Sequence, residues 1–375
     1  MNAVIVACDM VTAYGTGIDA CWNGIAAGKS AITPVTRFGT RTFQSSYAGI
    51  VPGLLYHQAS SLVMQMLVSL FSRSSGIIPP DAMLLLATTK GEIDFLEMNI
   101  LNDAADAAES SLKRLLEKTT ELTKVTGMGM VFSSACTSSS AALGYAAALI
   151  QSGKTDCILV VACDSVTEFI FSGFSSLMAL DAVPARPFDK NRSGLNVGEA
   201  AAYAVLMSTD RAAREQRHLL GRIAGWGMSD DANHMTGPSR DSEGMIIAIQ
   251  KALQSAGMDS KTIGFIAAHG TGTLYNDAME MRAFHAVFSD QVLPVYSIKG
   301  GIGHTMGAAG LVEMIIALKA QREKKIPPTV NLTVPDTDAA GWASGTSQTL
   351  DQRTTALITN AGFSGVNTAL ILAEQ

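Results

Sequence analysis

Short apolar runs alternate with alanine-rich runs from one end of the chain to the other. The apolar runs contain few polar positions, which is typical of strands that are buried on both faces of a sheet. We predict strands at residues 3–8, 83–88, 157–163, 201–207, 264–268 and 355–359. We predict helices at residues 138–152, 242–256 and 308–320. Strands and helices that alternate in this order favour a layered α/β fold.

The first and second parts of the chain are alike in outline. Each begins with a strand and a glycine-containing turn, VACDMVTAYG in the first part and IAGWGMSDDA in the second. The repeat is too weak in identity to prove a duplication, and no linker is long or polar enough to separate independent domains. We therefore predict one boundary, near residue 208.

Two helical segments predict different surroundings. Residues 103–124 form the most charged segment, with acidic residues first, basic residues after them and an apolar stripe of leucines. That order suits the helix dipole and predicts a surface helix with one buried side. Residues 60–72, SSLVMQMLVSLFS, are apolar nearly all round, which predicts a helix buried in a core or against a partner.

Composition and charge exclude several classes of protein. Hydrophobic residues make up 47% of the 375 residues and charged residues 16%, which excludes a disordered chain. The formal net charge of −6 leaves no broad basic field for nucleic acid. No uncharged stretch supplies about 18 consecutive apolar residues, so we expect no membrane span. The N-terminus lacks the basic segment that opens a secretory signal.

Cysteine usage bears on the compartment. The five cysteines, at positions 8, 21, 136, 157 and 163, are odd in number and show no CxxC spacing. This argues against a disulfide framework and against a zinc site. We therefore expect a cytoplasmic protein without a metal centre.

One cysteine has an unusual neighbourhood. Cys136 lies where an apolar strand end, VFSSA, runs into small hydroxyl residues and an alanine-rich helix. Backbone N–H groups and the helix dipole lower the pKa of a thiol at such a position, so we expect a reactive thiolate. A buried structural cysteine is the alternative, because free cysteine is among the most buried residue types.

Two histidines occupy similar junctions. His269 follows the predicted strand GFIAA in AHGTGT, and His304 lies in the glycine-rich turn of SIKGGIGHTMGAAG, before a helix. Open α/β sheets bind ligands at the carboxyl ends of their strands, although a lone histidine is more often a core residue. One cysteine and two histidines, each at its own junction, indicate a thiol-centred acyl-transfer site.

These segments resemble the motifs of the elongating β-ketoacyl synthases that act on acyl carrier protein (ACP), the ketosynthases of the thiolase superfamily. SSACTSSSAAL is similar to the nucleophile motif, AHGTGT to the first histidine motif and KGGIGHTMGAAGLVE to the lysine–histidine motif. ARPFDKNRSGLNVGEAAA and NAGFSGVNTALIL resemble the central segment and the C-terminal loop. The motifs follow family order over nearly the whole chain, and only residues 42–130 fit poorly.

The resemblance implies a thiolase-like α/β fold of five layers, αβαβα, built from two similar halves. Residues 1–208 would carry the nucleophilic cysteine and residues 209–375 the two histidines. Cys136 would accept the growing acyl chain as a thioester. His269 and His304 would hydrogen-bond the malonyl thioester carbonyl and stabilise the enolate that forms when carbon dioxide leaves.

The same resemblance implies supporting groups behind the reacting ones. Lys299 would orient the loop of His304 through a charge network that includes Glu280. Asp277 and Glu280 would support the site from behind. No metal or diffusible cofactor is implied, because the phosphopantetheine arm of ACP carries the thioester.

Substrate contacts are also implied. The N–H groups of Cys136 and Phe363 would form the oxyanion hole, and Phe363 would gate the acyl pocket. Gly362, Thr271 and Thr273 would contact substrate as well. GFSG replaces the usual GFGG, which adds a hydroxymethyl group to the gating loop.

Residue types separate this chain from three neighbours within the superfamily. Thiolases use a second cysteine near the C-terminus, whereas the last cysteine here is Cys163. Initiating ketosynthases have an asparagine where this chain has His304, and chain-length factors usually replace the nucleophile that Cys136 supplies. The set Cys-His-His is that of a decarboxylating, elongating synthase.

We therefore expect a β-ketoacyl synthase-type subunit that condenses an acyl thioester with malonyl-ACP, in fatty-acid, polyketide or aryl-polyene biosynthesis. The alternative is a non-condensing, chain-length-factor-like partner in a ketosynthase heterodimer. A scaffold that kept only the fold is disfavoured by the three motif residues.

The expected partners are ACP and a second subunit. The strand before Cys136, VTGMGMVFSS, is apolar and nearly free of charge, so an exposed edge there would pair with another chain. That chain would be an identical subunit or a ketosynthase paralogue. Typical family members are longer between about residues 50 and 130, where they carry the cap of the acyl pocket. Because a different subunit could supply the missing part of the pocket, the short segment favours a heterodimer.

Overall fold

Most strands of the chain join one continuous sheet of eleven strands. The computed structural model describes residues 2–56, 59–74, 76–101, 110–289 and 291–374. Its strands are β1 (Ala3–Thr12), β2 (Gly15–Thr16), β3 (Ile32–Pro34), β4 (Tyr47–Gly49), β5 (Met83–Ala87), β6 (Gly129–Phe132), β7 (Cys157–Asp164), β8 (Ala200–Ser208), β9 (Gly221–Asp230), β10 (Ile263–Ala267), β11 (Val295–Tyr296), β12 (Lys325–Ile326), β13 (Gln348–Thr349), β14 (Thr355–Ala361) and β15 (Val366–Ala373). Its helices are α1 (Ile18–Ala26), α2 (Leu62–Phe71), α3 (Ile93–Leu101), α4 (Leu112–Thr123), α5 (Ser138–Gln151), α6 (Glu168–Ser176), α7 (Thr209–Arg214), α8 (Glu243–Ala256), α9 (Leu274–Val287), α10 (Lys299–Ile302) and α11 (Ala309–Glu323).

The strand order shows how the two ends of the chain meet. The order is β11-β10-β14-β15-β9-β1-β8-β7-β5-β6, with β2 attached to β1. Strands from before residue 208 lie on one side of the β1–β9 contact, and later strands lie on the other. Each predicted strand is confirmed, as β1, β5, β7, β8, β10 or β14. The division into two halves at residue 208 stays a prediction.

Helices α5 and α11 form the middle layer. α5 contacts α11 and strands from both parts of the sheet, β7 and β8 among the earlier strands and β9 and β15 among the later ones. It carries no charged residue. A Cβ atom at Gly310 of α11 would lie 1.9 Å from Ser140 Oγ, so the close crossing of the two helices requires glycine there. α2 and α4 cover one outer face, and α8 and α9 cover the other. This order confirms the predicted five-layered α/β fold.

The predicted helices are confirmed as α5, α8 and α11. The charged segment 103–124 contains α4, a surface helix with Leu115 buried, while residues 103–109 lie outside the described residues. Ser111 caps the start of α4, because its hydroxyl accepts the N–H of Arg114. Among the described residues, no helix has both the length and the apolar content to cross a membrane.

Helix α2 is buried, as segment 60–72 predicted, and it is buried within this chain. Its apolar side chains pack against β1, β8 and α4. Val68, which is 50% exposed, is the large apolar side chain of α2 that faces solvent. Of the two surroundings that the sequence left open, a core or a partner, the structure shows the core of this chain.

Candidate active site

Four loops converge on one cavity of about 400 Å³. They follow β6, β10, β11 and β14. Because β10 runs parallel to β11 and β14, the carboxyl ends of these three strands meet at one edge of the sheet. The cavity wall contains the following residues from the sequence analysis: Cys136, His269, Thr271, Thr273, His304, Gly362 and Phe363. Within the described ranges, no group of three or more His, Cys, Asp or Glu residues is placed to hold a metal ion.

Cys136 lies in the tight turn between β6 and α5. Ala135 has a φ of 46°, in the left-handed region that residues other than glycine rarely adopt. Ser138 Oγ donates to the Ala135 carbonyl and accepts the Ser134 N–H, which ties the turn to the start of α5. The turn brings Cys136 Sγ to 2.9 Å from His304 Nε2.

The protonation of this thiol differs from the expected one. Burial raises the pKa of Cys136 to about 12, while the nearby Lys299 ammonium and the N–H of Phe363 act in the opposite direction. The expectation of a low pKa is wrong, because desolvation outweighs the position at the start of a helix. Cys136 is therefore a neutral thiol, which could act as a nucleophile only after a base took its proton.

The rings of His269 and His304 lie edge to face, with centroids 5.0 Å apart. Burial, followed by the charge of Lys299, lowers the pKa of both rings well below the usual range. Neutral rings donate through one nitrogen and accept through the other. Among the described residues, no hydrogen-bond partner faces His304 Nδ1, so the proton of His304 can reside on either nitrogen.

Lys299 is buried, and its ammonium binds the carboxylate of Glu313 and the carbonyl oxygen of His269. The expected network with Glu280 is wrong. Glu280 instead accepts the N–H groups of His269 and Gly270, at 2.8 and 2.7 Å. Lys299 therefore links its own loop to His269 and to helix α11.

Asp277 lies behind the loop that carries Thr271 and Thr273. Its carboxylate accepts the N–H groups of Thr271 and Gly272, at 3.0 and 3.2 Å. The hydroxyl oxygens of Thr271 and Thr273 are 2.9 Å apart, and both residues face the cavity. Contact between these threonines and a substrate stays a prediction.

The turn that begins at Gly362 passes close to Cys136. A Cβ atom at Gly362 would lie 3.4 Å from the backbone nitrogen of Cys136. The N–H of Phe363 hydrogen-bonds Cys136 Sγ, and the ring of Phe363 lies 5.7 Å from that of Phe174. Ser364 has a φ of 77°, a conformation that favours glycine. The serine of GFSG therefore strains the turn next to Cys136.

Two residues of the site were missed by the sequence analysis. Glu313 and Asn360 are both buried, and Asn360 Nδ2 lies 2.5 Å from Glu313 Oε2. Glu313 had a signal, because it is the single charged residue in the apolar stretch AAGLVEMIIAL. Asn360 had none apart from its place before the turn at Gly362.

The wall of the cavity includes exposed apolar side chains, and two exposed arginines lie close to one segment of it. Its exposed apolar side chains are Leu177, Met178, Leu274 and Tyr275. Arg282 donates to the carbonyl oxygen of Arg240, which follows Pro238 of the cavity wall by two residues. Both Arg240 and Arg282 are exposed residues.

Known proteins match this chain over most of its length. Residues 119–212 match the N-terminal domain of beta-ketoacyl synthase, and residues 220–333 match its C-terminal domain. The 3-oxoacyl-[acyl-carrier-protein] synthase 2 of Vibrio cholerae is 28% identical, over 100% of this chain and 99% of the relative. The tetracenomycin polyketide synthase ketoacyl synthase alpha subunit of Streptomyces glaucescens is 29% identical, over 96% and 94%. Among solved structures, the ishigamide ketosynthase/chain length factor has a TM-score of 0.90 at 28% identity, covering 100% of this chain and 99% of that chain.

Proposed function

Because this chain belongs to the β-ketoacyl synthase family, we propose that it condenses a Cys136-bound acyl chain with a malonyl thioester and releases carbon dioxide. The observation that carries the proposal is the 2.9 Å contact between Cys136 Sγ and His304 Nε2. The neutral ring of His269 lies beside them in the same cavity. A thiol, a base that takes its proton and a second neutral donor are the groups that this chemistry requires.

The first step loads the acyl chain. His304 Nε2 takes the proton of Cys136, and the resulting thiolate attacks the carbonyl carbon of the incoming thioester. The N–H groups of Cys136 and Phe363 bind the oxyanion as preorganised donors. The bond to the carrier's sulfur then breaks, and the leaving thiolate takes the proton back from His304.

The second step forms the new carbon–carbon bond. Once the acyl chain is loaded, the proton of the neutral His304 ring moves from Nδ1, which has no hydrogen-bond partner in the described part of the chain, to Nε2. His269 and His304 then donate their Nε2–H groups to the carbonyl oxygen of the malonyl thioester. The bond to the carboxylate breaks, carbon dioxide leaves, and the electron pair forms an enolate that both donors stabilise. The enolate carbon attacks the acyl carbonyl, the C–S bond to Cys136 breaks, and the released thiolate takes up a proton.

We infer that the thioesters arrive on an acyl carrier protein, because the relative from Vibrio cholerae is named for that carrier. Its phosphopantetheine arm would supply the thiol, without a metal or a diffusible cofactor. Carrier proteins are acidic, so Arg240 and Arg282 near the mouth would attract one. The apolar rim would contact the arm. A cytoplasmic location stays a prediction.

Thiol labelling tests the nucleophile. We expect iodoacetamide or a cerulenin-like epoxide to modify Cys136 before the other four cysteines, because Cys136 alone among them faces the cavity and contacts an imidazole. Peptide mass spectrometry after short exposures measures the order of labelling. Condensation of acyl-ACP with malonyl-ACP, assayed in parallel, should fall in proportion to the labelling of Cys136.

Cys8 is the matched comparison for this experiment. It is partly exposed, and burial raises its pKa to about 12 as well, so the pKa does not separate the two thiols. Earlier reaction at Cys8 than at Cys136 would remove Cys136 as the nucleophile. A chain that neither decarboxylates nor condenses, alone or with a ketosynthase partner, would contradict the proposed function.

A second role is favoured by one observation. The ishigamide ketosynthase/chain length factor has the same fold over the whole chain at 28% identity. A chain-length-factor-like partner would shape the acyl pocket without needing a nucleophile. The Cys136–His304 contact favours the condensing role over this alternative.

We also propose that the chain dimerises through β6. This strand ends the sheet and is paired with β5 on its inner side. Gly129 of β6 is exposed, and the adjoining Met128 is 72% exposed. An exposed edge strand presents backbone donors and acceptors that pair with another chain. The chain is shorter than typical family members between about residues 50 and 130, where they carry the cap of the acyl pocket. This favours a ketosynthase paralogue as partner, because a different subunit can supply that part of the pocket.

Size exclusion with light scattering tests the assembly. We expect the lone chain to be insoluble or inactive and co-expression with a second ketosynthase to rescue it. In that complex Met128→Lys should weaken association, because a lysine at an edge strand opposes pairing. Val292→Lys replaces another exposed apolar residue, 60% exposed, away from β6, and should leave association unchanged. A stable, active homodimer would contradict the heterodimer, and an active monomer would contradict both.

A further inference from the structure

The side chain of Asn360 contacts three other side chains, one of which is the ring of His269. It lies near the end of β14 and is fully buried. Its Nδ2 is 2.5 Å from Glu313 Oε2 and 3.4 Å from His269 Nδ1. Its Oδ1 accepts a hydrogen bond from the hydroxyl of Ser140. The side chain therefore bridges α5, α11 and the loop of His269.

Glu313 determines which way this amide points. Glu313 shares an ion pair with Lys299, so its carboxylate oxygens accept hydrogen bonds. The group that faces Oε2 must therefore be the NH₂ of Asn360, and the Ser140 hydroxyl donates to the amide oxygen on the other side. One N–H of Asn360 is then directed to Glu313, and the second is available to His269 Nδ1.

Lys299 faces the same nitrogen from another element. Its Nζ lies 3.3 Å from His269 Nδ1, and its other contacts are Glu313 Oε1 and the carbonyl oxygen of His269. An ammonium has three hydrogens and accepts none, so these three contacts use all of them. Two donors, from α10 and β14, thus face Nδ1, and neither can accept a proton from it. The proton of the neutral ring must lie on Nε2.

We propose that Asn360 is a positioning residue for the condensation: together with Lys299 it holds His269 as the Nε2–H tautomer, which donates a hydrogen bond into the cavity. This inference rests on the proposed function, since the donor matters only where a carbonyl oxygen binds. His304 differs, because in the described part of the chain no group faces its Nδ1. His269 is a fixed donor, whereas His304 can first accept a proton and later donate one.

The substitution Asn360→Asp tests this role, because it keeps the shape and places an oxygen where Nδ2 was. The new carboxyl group also faces Glu313 Oε2, so the two acids share a proton. The oxygen of the new group can then accept a hydrogen bond from His269 Nδ1–H, which favours the tautomer without a proton on Nε2. In ¹⁵N NMR of histidine-labelled protein, wild-type His269 should show a bare Nδ1 and a protonated Nε2, and N360D should shift towards the other tautomer. The kcat of malonyl decarboxylation should fall about 100-fold with KM nearly unchanged, as for a donor that acts in the transition state.

Gln321→Glu is the matched control. It converts a second buried amide, which lies in α11 and away from the cavity, to a carboxyl group. In the wild type the Nε2 of Gln321 donates to the carbonyl oxygens of Thr354 and Leu372. It should lower stability and leave both the His269 signals and kcat unchanged. An N360D protein with unchanged His269 signals and kcat would overturn the proposal.

The ¹⁵N NMR spectrum of the wild-type protein shows which nitrogen of His269 carries the proton, even where a variant does not fold. A proton on Nδ1 of wild-type His269 would overturn the proposal directly. A wild-type chain that shows the Nε2–H tautomer but no decarboxylation with any partner would contradict the proposed function and support the tautomer. The two failures are therefore distinguishable.

Discussion

Replacing either His269 or His304 with alanine is expected to lower the rate of malonyl decarboxylation by about 10²–10³-fold. Both rings are neutral, because burial and the Lys299 ammonium lower their pKa well below the usual range. In the proposed mechanism, each substitution therefore removes one hydrogen-bond donor from the same carbonyl oxygen. The losses should not add in the double variant, because residues that act as a unit are non-additive. Carbon dioxide release from malonyl-ACP measures the effect.

The rate of acyl transfer to Cys136 should distinguish the roles of His269 and His304. His304 contacts Cys136 Sγ at 2.9 Å, so His304→Ala should slow acyl transfer more than His269→Ala does. His285→Ala is the control, because that exposed ring packs against Trp342 outside the cavity. Decarboxylation near the wild-type rate in both single variants would exclude the role given to these rings.

The substitution Glu313→Gln is expected to lower the free energy of unfolding by about 3–5 kcal/mol. It leaves the ammonium of Lys299, which is 2% exposed, without its counter-charge. Breaking a buried pair on one side is costly because the remaining charge stays desolvated. Equilibrium unfolding in urea, followed by circular dichroism, measures the loss.

The double variant Lys299→Met with Glu313→Leu provides the control. Apolar residues of similar volume often replace a buried ion pair without loss of stability. This variant should therefore recover most of the free energy of unfolding, while decarboxylation stays low because His269 has lost one of its two donors. A Glu313→Gln protein as stable as the wild type would show that the pair does not hold the folded state.

The order of strands and helices was predictable because the central strands are buried on both faces and therefore read as continuous apolar runs. β15 was not predicted as a strand, although its residues TALILA form an apolar run of the same kind. Its neighbours in the sheet are a separate matter. It lies between β14 and β9, and β9 is far away in the sequence. A local pattern does not specify such a distant neighbour, so the continuity of the sheet through β1 and β9 could not be derived from it.

The candidate site was predictable in its main groups and not in its electrostatics. The family-like motifs and the positions at the ends of predicted strands indicated Cys136, His269 and His304. The structure places all three around one cavity. The thiol's pKa depends on desolvation by every layer around it, which no local pattern expresses. Glu280 and Glu313 both follow histidine motifs closely, and only the packing of α11 decides which of them meets Lys299. The chemical roles of these residues stay predictions.

The position of the nucleophile along the chain has a consequence for synthesis on the ribosome. Cys136 and helix α5 emerge more than 200 residues before Asn360 and Phe363. At about 5–20 residues per second, that interval lasts roughly 10–45 s. During it the uncharged helix α5, later covered by α11 and β15, faces water beside the open edge of β6. The nascent chain thus exposes an apolar surface before the elements that cover it exist, and we expect chaperones that bind apolar surface in that interval to raise its yield in a cell.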